Sequence, residues 1–272
     1  MRSKMKEIRD FWHYVSVSHT KAYAAQSAFF LILGMIPCVL LLLAAIQYTP
    51  ITKTDIVVAM MRVIPEEIMQ RFFIGIIDEV YNQSLTMIPL TAFIAIWSSG
   101  KGVLAINTGL NWAYKCEETR NYIILRLRAS LYMIGFIVII TFGMALPLFG
   151  NKIAIFLNHY FPVLEGIIEF ILGMKMVMSF VIMFIFAMLV YRFLPNNKNK
   201  WRNQIPGAIF ASIAWIVISG VFSIYMTLSP NFNGLYGSMA AIVMVMLWMY
   251  FCMYAILIGG HINAFMSNKK AE

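Results

Sequence analysis

Lys101 stands in the middle of a long apolar run, between Gly100 and Gly102. A charge at membrane depth costs at least about 2.5–3.5 kcal/mol, so it normally faces a cavity or a partner. At helical spacing, Trp97, Lys101, Thr108, Asn111 and Lys115 fall within about a quarter turn of one face. That face is polar along its length, as a wet or headgroup-lined groove requires. In that setting Lys101 and Asn111 are candidates for contact with an anionic substrate, flanked by Trp97 and Thr108. The bland alternative is that Lys101 snorkels to an interface or bonds a backbone carbonyl. The two flanking glycines are positioned to interrupt the helix and free backbone groups, which a membrane tolerates only against protein or a wet cavity. Arg120, in the basic stretch that follows, joins the candidate set.

A second group lies near the C-terminus. Tyr250, Tyr254 and His261 share a helical face at intervals of four and seven. His261 is close to Lys269, so it reads either as a hydrogen-bonded interfacial residue or as a proton-transfer group. Asn263 points the other way and is suited to cap or bridge helices. Ala208, Ser212, Ser219 and Ser223 line one side of their segment, and small residues in register let membrane helices approach closely.

Equally informative is what the chain does not carry. It contains no GxxxxGK[ST] phosphate loop, HExxH metal motif or GxSxG nucleophile elbow. His13, His19, His159 and His261 are scattered, and none has an acid at metal-ligand spacing. Cys38, Cys116 and Cys252 fit neither a disulfide framework nor a zinc site. The apolar segments contain no carboxylate, which argues against a carboxylate proton relay. We therefore expect no catalytic residues, no cofactor and no metal. The expected partners are membrane lipids, an anionic lipid or a lipid-linked precursor among them, and not nucleic acid.

The elements that must hold these residues are membrane spans. Hydrophobic residues make up 61% of the 272-residue chain, charged residues 12%, and mean hydropathy is +0.77; soluble domains carry roughly 25% charged residues. Between Arg202 and Lys269 run 66 residues without Asp, Glu, Lys or Arg, enough for two crossings at about 20 residues each. Six apolar segments emerge, near 24–48, 86–114, 129–149, 171–194, 206–228 and 236–265. Residues 1–23 form a basic tail. The first segment is too long for a signal-peptide core and reads as an uncleaved span. Residues 53–85 read as an amphipathic helical segment, with Ile68, Phe72, Phe73, Ile76, Ile77 and Val80 at helical spacing. The fold expected is all-α: one integral membrane domain, a bundle of six transmembrane helices with an extra amphipathic segment outside. Of the 21 basic residues, 15 fall in the tails and in the loops after spans two and four, 5 fall in the opposite loops, and Lys101 lies within a span. By the positive-inside rule both termini are cytoplasmic.

Several segments together resemble one family. They are Ala24-Ala25-Gln26-Ser27-Ala28-Phe29-Phe30 followed by Pro37, then Trp97-Ser98-Ser99-Gly100-Lys101-Gly102 with Leu110-Asn111-Trp112-Ala113-Tyr114 and Glu118-Thr119-Arg120. Further on come Pro206-Gly207-Ala208, Tyr236-Gly237-Ser238-Met239-Ala240-Ala241, Trp248-Met249-Tyr250 and Gly259-Gly260-His261-Ile262-Asn263-Ala264. In this order, over nearly the whole chain, they resemble the YihY/BrkB family of bacterial inner-membrane proteins. The family pattern usually has a glutamate at the position of His261. The resemblance implies a six-helix protein of the bacterial cytoplasmic membrane, and carries an old ribonuclease label and a virulence label. A transporter-like role, moving or binding an anionic lipid or cell-envelope precursor, suits the polar stripe best. A non-transporting scaffold or assembly factor for the envelope is the alternative. A ribonuclease would need metal ligands or a positioned acid–base pair that these residues do not supply.

Overall fold

The computed structural model describes residues 2–46, 88–133, 175–196, 200–228 and 238–269, with single positions 53, 54, 57, 74 and 135 between them. Regular structure among these residues is entirely helical. Nearly all of the amphipathic segment expected at 53–85 and most of the span expected near 129–149 lie outside the described residues.

Helix α1 (Arg2–Val17) passes through a two-residue turn into α2 (Thr20–Ile46). The Ser18 N–H and hydroxyl both donate to the Tyr14 carbonyl, at 3.0 and 2.8 Å. His19 adopts φ 51°, the left-handed turn that ends a helix. The Thr20 hydroxyl then donates to the Val15 carbonyl at 2.9 Å, tying the two helices at their junction.

Helix α3 (Ile88–Tyr114) is 27 residues long, as is α2, which gives each about 40 Å of rise. It runs unbroken through Gly100-Lys101-Gly102, correcting the expectation of an interruption there. These glycines admit close neighbours instead. A Cβ on Gly102 would sit 2.9 Å from Leu31 Cγ on α2, and one on Gly100 would sit 3.0 Å from Ser130 Oγ. Helix α3 ends at Lys115, φ 53°. The Cys116 N–H reaches the Asn111 carbonyl at 3.0 Å and the Lys115 N–H reaches that of Trp112 at 3.2 Å. This is the paired bonding of a Schellman cap, with lysine at the position glycine usually takes.

Residues 122–133 form α4, followed by α5 (Lys175–Phe193), a 3₁₀ turn (Trp201–Asn203), α6 (Ile205–Leu228) and α7 (Ser238–Lys269). Helix α2 packs along α3, α7 against α6, α2 and α3, and α5 against α6. Among the described residues, three helices contain stretches long and apolar enough to cross a membrane: Met176–Phe193, Ile205–Tyr225 and Val243–Ser267. On α6, Ile209, Ile213, Val217, Val221 and Ile224 are exposed at steps of three and four. An apolar stripe turned outward is costly in water and natural against lipid. The inward side of α6 is small: Ala208, Ala211 and Ser212 are fully buried, and the indole N–H of Trp248 on α7 donates to Ser219 Oγ at 3.2 Å.

Candidate functional site

Trp97 on α3 engages one cation through both its carbonyl and its ring. Arg126 of α4 donates from Nη2 to the Trp97 carbonyl, and its guanidinium carbon lies 5.3 Å from the centre of the Trp97 ring. Arg126 is buried, at 2% exposure. Lys101, one helical turn beyond Trp97, is exposed, with its ammonium 5.4 Å from the ring of Phe30 on α2. Among the described residues no carboxylate forms an ion pair with Lys101 or Arg126. Thr108, two turns further along, is exposed and donates its hydroxyl to the Leu104 carbonyl at 2.9 Å. Trp97, Lys101 and Thr108 therefore share an outward face of α3.

Asn111 does not join that face. It is buried, and its amide donates to Glu118 Oε2 at 2.9 Å. Asn107 donates to the same oxygen at 2.9 Å. Arg120 grips the carboxylate with both arms, Nε to Oε1 at 2.6 Å and Nη2 to Oε2 at 2.7 Å, a charge-assisted fork of the strong kind. The same Nη2 reaches Asn107 Oδ1 at 3.2 Å and the Leu194 carbonyl after α5 at 2.8 Å. The Asn196 N–H donates to Asn111 Oδ1 at 2.8 Å. Burial alone would raise the Glu118 pKa, but the bonds from Arg120, Asn107 and Asn111 outweigh it and hold the group at about 2. Burial and the Glu118 carboxylate push the neighbouring Cys116 thiol up, so it stays protonated at neutral pH. Asn111 and Arg120 are thus bound up in a knot that pins the end of α3 to the end of α5.

His261 is buried on α7, with Nε2 at 2.9 Å from Thr20 Oγ1 and Tyr14 edge-on at 5.3 Å between ring centres. The Thr20 hydroxyl already donates to Val15, so the geometry assigns the proton to Nε2 of His261. A cavity of about 570 Å³ opens beside it between α1 and the ends of α3 and α7, with His13, Tyr14, Lys115 and Phe265 in its wall. The Lys115 ammonium lies 4.7 Å from the Tyr14 ring centre. Tyr250 and Tyr254 stack on each other, centres 6.1 Å apart and planes 5° apart, and are part-buried. They share the His261 side of α7 but sit about 10–17 Å along the axis from it by helical rise. The structure thus divides the eight candidates into four places: the outward α3 face, the Glu118 knot, the His261 junction and the tyrosine stack.

A second space, about 290 Å³, lies between α3, α4 and α5, walled by Val103, Ile106, Leu131, Phe186, Val190 and Leu194 among others. Its walls are hydrocarbon, suited to an acyl chain rather than to a polar solute.

A family model for virulence factor BrkB matches residues 12–272. The chain belongs to the virulence factor BrkB family. It is 27% identical over 271 residues to the putative ribonuclease-like protein YfkH of Bacillus subtilis, covering 98% of this chain and 97% of that one. It is 27% identical over 156 residues to a UPF0761 membrane protein of Idiomarina loihiensis, covering 57% of this chain and 52% of that one. A UPF0761 membrane protein of Stenotrophomonas maltophilia shares 30% over 84 residues, 31% of this chain and 20% of the relative. No solved structure matches the chain.

In this BrkB-family membrane protein, sequence reasoning missed Arg126, Glu118 and Asn107. Arg126 reads as one more basic loop residue, because nothing local says that 122–133 folds back onto Trp97. Glu118 and Arg120 carried a usable signal: opposite charges two apart, just past a helix bearing two asparagines at a one-turn interval. Among the described residues no group of three His, Cys, Asp or Glu side chains could hold a metal ion.

Proposed function

We propose that this chain binds an anionic membrane lipid, or a lipid-linked envelope precursor, along the outward face of α3 and moves it across the cytoplasmic membrane. The single observation that carries the reading is Lys101, an exposed cation on an apolar helix whose contact is the ring of Phe30. Such a charge is stabilised in a membrane by an anionic headgroup more readily than by hydrocarbon. The hydrocarbon-walled groove between α3, α4 and α5 supports it by offering a place for a tail. The reading takes six spans, both termini cytoplasmic and 53–85 outside, and no catalysis.

Native mass spectrometry of the purified protein tests it. Anionic lipid should be retained over zwitterionic lipid, and Lys101→Met should lower retention by a factor of about ten, as expected for a lost charge-assisted contact. Equal retention by the parent and a folded Lys101→Met variant would remove the support. A scaffold role is favoured by one observation, the saturation of Asn111 and Arg120 by Glu118, which leaves those side chains holding the fold. The ribonuclease-like name of the Bacillus subtilis relative suggests a third activity. RNA cleavage by stringently purified protein, abolished by one substitution in this chain, would establish it against the lipid reading.

A further inference from the structure

Buried polar atoms in folded proteins are nearly all hydrogen-bonded, and each exception asks for an explanation. Two exceptions here are neighbours. Arg126 Nε and Ser130 Oγ are both shielded from solvent, and neither has a hydrogen-bond partner among the described residues. They are four apart on α4, so their side chains lie on one face. That face meets α3 between Trp97, whose carbonyl and ring engage the Arg126 guanidinium, and Gly100, against which Ser130 packs. Among the described residues this guanidinium meets one carbonyl, one indole and no carboxylate, and an ion out of water is under-compensated unless an opposite charge is supplied.

We infer that Arg126 and Ser130, with the exposed Lys101 one helical turn from Trp97, form a binding site for a phosphate group. The inference rests on the lipid-binding reading for the source of that group but not for its chemistry. The unused donors are a guanidinium N–H, a hydroxyl and an ammonium, carried by separate side chains. They suit a tetrahedral oxyanion with several oxygens, and arginine is the side chain fitted to grip one at two points. Trp97 is the cover. Its indole lies against the guanidinium while 37% of the residue is exposed, so a shift of that ring uncovers Arg126 on the side where Lys101 stands. Gly100 fits the same assignment, because a Cβ there would press on Ser130 Oγ at 3.0 Å. Lys101, one helical turn from Trp97 on α3, adds an exposed positive charge on that face.

The test uses the full chain in detergent and four proteins: parent, Arg126→Gln, Arg126→Lys and Ser130→Ala. Each is assayed for retained lipid by native mass spectrometry. Each is also assayed for thermal protection by added phosphatidylglycerol, phosphatidylcholine or inorganic phosphate. The parent should retain and be protected by phosphatidylglycerol more strongly than by phosphatidylcholine, whose choline cation offsets its phosphate. Arg126→Gln should lose retention by about tenfold or more, Ser130→Ala by about threefold, and Arg126→Lys should keep part of it. Protection by inorganic phosphate that disappears in Arg126→Gln assigns the site to a soluble phosphate; it upholds this inference while the lipid reading fails. Retention by the parent that is unchanged in Arg126→Gln overturns the inference and leaves the lipid reading standing. If Arg126→Gln does not fold, Ser130→Ala decides: unchanged retention and unchanged protection overturn the site. A parent that neither retains nor is protected by any of the three probes overturns both.

Discussion

Asn263 on α7 accepts a hydrogen bond from the Gly207 backbone N–H at 2.7 Å, so one helix caps the N-terminus of another. Its amide also donates to Gln204 Oε1 at 3.1 Å and to the Tyr114 hydroxyl at 3.3 Å, and Tyr114 donates to Gln204 at 2.5 Å. The first N–H groups of a helix have no intrahelical acceptor, and in a membrane-embedded bundle water is not at hand to replace one. Asn263 therefore fastens α3, α6 and α7 at a single point.

Replacing Asn263 with Leu should destabilise the protein by about 1–3 kcal/mol, because the buried Gly207 N–H loses its acceptor while the Gln204 amide oxygen loses one of its two donors. Asn263→Asp keeps the acceptor for Gly207 but removes the donor to Gln204, and should recover only part of the loss. Thermal unfolding of the purified variants reads both. A melting temperature for Asn263→Leu equal to that of the parent would show that the cap carries no stability.

Close to the same point, α6 and α7 meet backbone to backbone. A Cβ on Gly207 would fall 2.1 Å from the Gly259 carbonyl oxygen, and one on Gly259 would fall 2.2 Å from the Tyr191 hydroxyl. Gly207→Ala should cost about 1–3 kcal/mol through overpacking, since carbonyl oxygen on a helix cannot rotate aside. Gly220, on the same helix with nothing within 4 Å of its would-be Cβ, is the control. Gly220→Ala should be neutral or stabilise by up to about 1 kcal/mol through helix propensity. Similar melting temperatures for the two variants would contradict the close crossing.

The Glu118 knot predicts a pH dependence with a definite sign. The folded-state pKa is depressed, from 4.5 to about 2. The group therefore contributes its full stability above about pH 4.5 and loses it as pH falls through the range down to about 2. Unfolding measured from pH 7 down to pH 3 should show the parent weakening below pH 4.5. Glu118→Gln, already lower at neutral pH by roughly 1–3 kcal/mol for the lost charge-assisted bonds, should show a flatter profile. Parallel profiles for the two proteins would mean that Glu118 is not the titrating group.

The long helices were legible because a membrane span is written in composition: α5, α6 and α7 follow apolar runs with hardly a charge in them. Gly100 and Gly102 were misread because glycine signals both a weak helix and a close neighbour. The neighbours that decide between these, Leu31 and Ser130, are far off in sequence. The cap at Lys115 left no trace, since lysine is an uncommon choice for a left-handed position. Spacing put Asn111 within a quarter turn of Lys101, but a quarter turn separates an outward face from a buried one when a helix has neighbours on one side. Asn263 was readable as a bridging residue, since a carboxamide in an apolar helix needs both donors and acceptors nearby; which helices it joins was not.

The last prediction concerns the direction in which the bundle faces. Lys115, Arg120, His261 and the C-terminal part of α1 gather at one end of the structure, joined by the Tyr14 hydroxyl, which donates to the Trp112 carbonyl at 2.7 Å, and by the Phe11–Phe265 contact, ring centres 5.8 Å apart. The loop assignment made from the sequence gives this end most of the basic residues, so it should face the cytoplasm. Reporter fusions placed after Lys270 and within the 53–85 segment, near Asn82, should then report opposite compartments. The bias rests on loop charge, so it should also be movable. Replacing Arg120 would confound orientation with folding, because its side chain holds Glu118. Lys198 and Lys200, between α5 and the 3₁₀ turn, are the better choice, together with Lys4 and Lys6 on α1. Reversing those four to glutamate should lower the fraction of molecules in the parental orientation. The same compartment for both fusions in the parent would refute the six-span arrangement outright.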